Sequence, residues 1–144
     1  MIRSSARQAY PFVAALFVAG VVVQVFLAGL GVFEDPRTFL THANFGYTLS
    51  VLPLVLVILS VAGRSSRRIT AMSGLLIVLF LLQSVFVALR ADLPAVAALH
   101  PLHGFLILGT GIVVTRLSWF ERQAAVMLIQ EASGLGAGVA DSAS

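Results

Sequence analysis

Six residues in this chain repeat in spacing. Pro36, His42 and Gly46 occur in PRTFLTHANFG, and Pro94, His100 and Gly104 occur with the same offsets in PAVAALHPLHG. Each copy follows an apolar run that carries one glutamine, Gln24 or Gln83, and each has an acidic residue just before its proline, Asp35 or Asp92. Neutral imidazole is a good ligand for iron. Two imidazoles in matching places of two half-proteins can hold a flat macrocycle between them. The expected chemistry is axial ligation of a b-type heme by His42 and His100.

Other side chains near the motif can be given roles. A glycine four residues after a histidine lies on the same helix face. Gly46 and Gly104 would therefore let either a porphyrin face or a neighbouring helix approach the backbone. Gln24 and Gln83 are buried amides that need partners; they either join helices or orient a ligand histidine. Arg37 and Arg90 are candidate partners for heme propionates, or ordinary interfacial anchors. Asn44 and Tyr47 could donate to a propionate or a quinone. His103, three residues after His100, faces the same region and has Phe45 as its counterpart in the first copy. Either His100 or His103 is the second ligand. The repeat favours His100, whereas Pro101, which disturbs a helix entry, favours His103.

The elements that position these residues follow from composition. The chain has 144 residues, 59% hydrophobic and only 10% charged. Soluble domains carry about 25% charged residues, so lipid is the expected solvent. Four runs reach the roughly 20 apolar residues that a membrane helix needs: 10–33, 38–62, 69–89 and 95–117. The breaks between them carry charge and turn residues. Short connections make sequential helices antiparallel neighbours. The expected fold is all-α: an integral membrane four-helix bundle made of two repeated helical hairpins. The first run is too long for a signal-peptide core and lacks a convincing cleavage site.

Arginine sets the orientation. Arg3, Arg7, Arg64, Arg67, Arg68, Arg116 and Arg122 fall on one side, and Arg37 and Arg90 on the other. The positive-inside rule places both termini in the cytoplasm and His42 and His100 near the outer face, roughly 6–10 Å in from their helix ends. The expected location is a bacterial cytoplasmic membrane. Trp119 suits an interfacial belt. Residues 118–132 suit a short amphipathic surface helix, and 134–144 a disordered tail.

Several chemistries are excluded. There is no cysteine, hence no disulfide, iron–sulfur cluster or ordinary c-type heme attachment. No hydrolase or phosphate-loop signature occurs, and no basic surface suits nucleic acid.

The segment from Gln83 through His100, with the helix that follows, resembles one half of heme A synthase. In that family, histidines on the second and fourth helices of each four-helix half hold heme. The chain also resembles a family of uncharacterised bacterial four-helix membrane proteins, through Val22 to Phe33 and the Leu99-His100-Pro101 triplet. These resemblances imply heme binding at His42 and His100. They do not carry over heme oxidation, because the cysteines and the glutamate of the synthase's outer region are missing. Electron transfer to a partner subunit or to quinone is the expected role, with a homodimer recreating an eight-helix body. The alternatives are an accessory subunit of a larger complex, whose histidines bind pigment or only pack, and a quinone-binding redox enzyme.

Overall fold

A computed structural model describes residues 2–141, without the side chains of 129 and 132–141. It contains six helices: α1 Ile2–Phe33, α2 Thr38–Leu49, α3 Val51–Ala62, α4 Arg67–Ala88, α5 Pro94–Ala97 and α6 Leu99–Asp141. No strand occurs among the described residues. The helices form four rods, each long and apolar enough to cross a membrane. The protein is a membrane four-helix bundle of two hairpins, α1 with α2–α3 and α4 with α5–α6. Four crossings leave the first and last rods' outer ends on the same side.

Two of the rods are broken at residues dictated by proline. Pro53 has no N–H to give to the Leu49 carbonyl, and the second rod breaks at Ser50. Pro101 likewise withholds a bond from Ala97, and the fourth rod breaks at Ala98. Pro94 occupies the first turn of α5, where its fixed φ is favourable. The Ser66 side chain caps α4 by accepting from the Ile69 N–H.

The helix ends differ from expectation in two places. α1 begins at Ile2 rather than near Tyr10, and at 32 residues it is about 48 Å long, well beyond the roughly 30 Å hydrocarbon layer. α6 does not end at Leu117. It runs unbroken through the segment expected to lie on the surface and through the expected disordered tail as far as Asp141; Ser142–Ser144 lie outside the described residues. The reason is partly lateral packing. Trp119 meets Phe12 of α1 edge-on at 5.1 Å, and no proline after Pro101 interrupts the ladder. The extension of α6 therefore follows the early start of α1.

Packing is uneven along the bundle. α1 packs against α2, α3 and α6, and α4 packs against α3 and α6. The fully buried apolar side chains Tyr10, Phe17, Leu56, Ile69, Leu76 and Val114 all lie in the half nearest the termini, or at mid-depth. Between α1 and α4 the Tyr10 hydroxyl reaches Ser73 Oγ at 2.6 Å. In the other half, the backbone of α2 packs against α1 and α3, and α2 meets α6 through the His42 and His100 rings. Among the described residues, no Cα of α2 comes within 8 Å of α4, α5 or α6. The second rod is closed against α4 towards the termini, through α3, and parted from it at the end that carries the histidines, along α2.

Candidate functional site

The parted end gathers the polar residues. His42 projects from the second turn of α2 towards α1, and its Nδ1 lies 3.0 Å from the main-chain oxygen of Gln24. His100, in the first turn of α6, repeats this arrangement against α4: its Nδ1 lies 3.4 Å from the main-chain oxygen of Gln83. The histidine–glutamine separations are 18 and 17 residues, so each hairpin brings the pair together in nearly the same register. A carbonyl oxygen only accepts. Both imidazoles therefore carry their proton on Nδ1 and leave a lone pair on Nε2. That tautomer, fixed by a backbone carbonyl, is the one a metal-ligating histidine usually adopts.

The two rings face one another across the gap between α2 and α6. Their centroids are 6.2 Å apart and their planes are inclined by 67°. Two imidazoles bound on opposite sides of one metal, at about 2.0–2.1 Å each, have centroids about 6 Å apart. Both rings are half-buried. Phe39 stands edge-on to His42 at 6.4 Å.

Gln83 organises the second hairpin further. Its Nε2 donates to the His100 main-chain oxygen at 3.1 Å and also lies 3.3 Å from His100 Nε2. Its Oε1 accepts from His103 Nδ1 at 2.8 Å. His103 is buried, its ring rests edge-on to Phe86 at 5.3 Å, and its Nε2 has no hydrogen-bond partner. His42 is thus paired across the gap with His100, while His103 is locked against α4.

Gln24 behaves differently. Its side-chain Oε1 is buried without a partner, and only its main chain serves His42. Its amide fills the space above Gly46, where an added Cβ would come within 2.5 Å of Gln24 Nε2. The corresponding distance from Gly104 to Gln83 Nε2 is 3.8 Å. Gly46 thus makes room for Gln24, a role not anticipated from spacing, whereas a Cβ at Gly104 would only touch Gln83.

The remaining candidates lie away from the rings. Arg37 is exposed and forms an ion pair with Asp35 at 3.0 Å; the Arg37 main-chain N–H and guanidinium hold the Asp35 carboxyl below its ordinary range. Arg90 is exposed and donates to the Val87 carbonyl at 3.3 Å. Asn44 and Tyr47 are also exposed. Sequence reasoning missed the main-chain acceptors of Gln24 and Gln83 and the ring contacts of Phe39 and Phe86. The matching Gln-to-His separations were the available signal.

Among the described residues, no three metal-binding side chains gather. A bare metal ion ordinarily takes three or four protein ligands, whereas a macrocycle brings its own equatorial donors and asks only for axial ones.

A family described as a family of unknown function (DUF6220) matches residues 24–90, a little under half of the chain. The matched stretch runs from Gln24 to Arg90 and holds His42, Gly46 and Gln83; His100 and His103 lie beyond it. No curated protein and no solved structure matches the chain.

Proposed function

We propose that the chain is a membrane electron-transfer protein that binds one b-type heme between His42 of α2 and His100 of α6. The observation that supports this most is the paired anchoring: each ring gives its Nδ1 proton to the carbonyl of the matching glutamine and keeps an Nε2 lone pair, with centroids 6.2 Å apart. Such a heme, when bound, supplies one-electron redox chemistry. The chain's own residues orient the ligands and confine the site to one end of the bundle.

The fit has one condition. The Gln83 amide lies against His100 Nε2, so ligation requires that side chain to rotate away. Its bond to His103 and the unpartnered His103 Nε2 give it a neighbouring polar surface to use. The likeness of the Leu99-His100 entry to heme A synthase favours heme over other flat ligands. The arginine distribution favours cytoplasmic termini in a bacterial inner membrane, and a partner subunit or quinone as the electron exchanger.

A packing role is the competing reading, favoured by the hydrogen bonds with which Gln83 already ties α4 to α6. Purification from heme-replete cells separates the two. Heme binding predicts near-stoichiometric heme, with a Soret band and sharp α and β bands on reduction. A pure, folded, colourless protein that also fails to take up added hemin defeats the proposal.

A further inference from the structure

The opposite end of the bundle holds a second candidate site, made where α1 and α6 outrun the other rods. A cavity of about 410 Å³ there is lined by Arg3, Ser4, Arg7, Gln8, Arg122 and two apolar residues of α6. Three arginines thus contribute to the lining of one hollow. The ion pair between Arg37 and Asp35, at the far end, is the only one among the described residues. Glu121 forms no ion pair with any of the three.

Two of these arginines are held in place. The Arg122 guanidinium lies 5.1 Å from the ring centroids of both Phe12 and Trp119, which fixes its plane and supports its charge. The Arg7 backbone packs against Gly63 at the end of α3, where an added Cβ would meet Arg7 N at 3.2 Å. Arg7 Nε is buried with no hydrogen-bond partner, a donor left unsatisfied behind the cavity wall. Planar guanidinium forks match phosphate oxygens in geometry as well as charge. A second hollow of about 440 Å³ adjoins the first, sharing Arg122 and Val126 and passing over Trp119 and Met127. Its lining, like that of the first, is mostly apolar.

We propose that the Arg3–Arg7–Arg122 cavity binds a phosphate oxyanion, and the mostly apolar lining of both hollows favours the headgroup of an anionic phospholipid as its source. Basic pockets between membrane helices suit such headgroups. Trp119 is the only tryptophan of the chain and touches Arg122, so its fluorescence reports occupancy.

The test titrates the full-length protein in neutral detergent, at fixed ionic strength, with short-chain phosphatidic acid, short-chain phosphatidylcholine and inorganic phosphate. The expected result is a saturable Trp119 response to phosphatidic acid. It should weaken by about tenfold or more in R3Q/R7Q and stay unchanged in Arg64→Gln, whose side chain lies outside the cavity. Saturation by inorganic phosphate at comparable concentration supports the oxyanion site and assigns it to free phosphate. Should R3Q/R7Q fail to elute as the wild type does, R3Q alone, at the exposed lip, carries the comparison. An equal response to phosphatidylcholine, no saturable response to either anion, or undiminished affinity in the arginine variants overturns the proposal.

Discussion

His42 Nδ1 lies 3.0 Å from the main-chain oxygen of Gln24, so the position of the ring is set by the backbone of α1 and not by the Gln24 side chain. The second hairpin repeats the main-chain contact but adds the side chain of Gln83. Two positions that look equivalent in sequence therefore carry different burdens.

That difference is measurable. Gln83→Leu removes the bonds to His100 and His103, and should lower stability in detergent by about 1–2 kcal/mol, the scale of polar contacts between membrane helices. Gln24→Leu should cost less, because its Oε1 has no partner to lose. Thermal unfolding of the ligand-free protein followed by circular dichroism makes the comparison. Equal losses would contradict the asymmetry.

The buried Tyr10–Ser73 contact gives a second asymmetry. Ser73 Oγ donates to the Ile69 carbonyl at 2.8 Å, so the Tyr10 hydroxyl is the donor to Ser73. Tyr10→Phe loses one bond and should cost about 1 kcal/mol. Ser73→Ala strands a buried hydroxyl and should cost more, about 1–3 kcal/mol. The order of the two unfolding temperatures is the readout.

Glycines sort by what surrounds them. A Cβ at Gly63 would press on the backbone of Arg7, so Gly63→Ala should destabilise by about 1–3 kcal/mol. A Cβ at Gly74 meets nothing within 4 Å, so Gly74→Ala should raise helix stability by about 0.5–1 kcal/mol. Gly46→Ala should fall between them, since the atom it meets is the mobile end of Gln24.

The α1–α2 turn should loosen in acid. The folded-state pKa of Asp35 is lowered by Arg37, through its main-chain N–H first and its guanidinium second. A carboxyl shifted down contributes stability that is present above its unfolded pKa, about 3.9, and is lost as pH falls through the folded value. The protection of the Arg37 amide, taken against its intrinsic exchange rate at each pH, should fall over that range, and Asp35→Asn should abolish the dependence.

Much of this arrangement was legible in the residues. Hydropathy located the four rods because lipid imposes length and apolarity together. The repeated Pro–His–Gly spacing located the two rings because each hairpin reuses one register. The acceptors of their protons were not legible, since a backbone carbonyl has no residue identity. Pro53 was visible in the sequence, but that α2, beyond the break, stands away from α4 depends on how whole rods lean. The continuation of α6 past Leu117 was missed because Trp119 and Arg122 read as surface residues until Phe12 is placed beside them.

In the proposed reading His42 and His100 hold the macrocycle, and the reduced absorption spectrum of hemin-loaded protein tests it most directly. With wild type, His42→Ala, His100→Ala and His103→Ala compared side by side, the sharp α and β bands of paired imidazoles should vanish in the first two variants and persist in His103→Ala. Bands that survive both His42→Ala and His100→Ala, or that are lost only in His103→Ala, would contradict ligation between α2 and α6 by this pair.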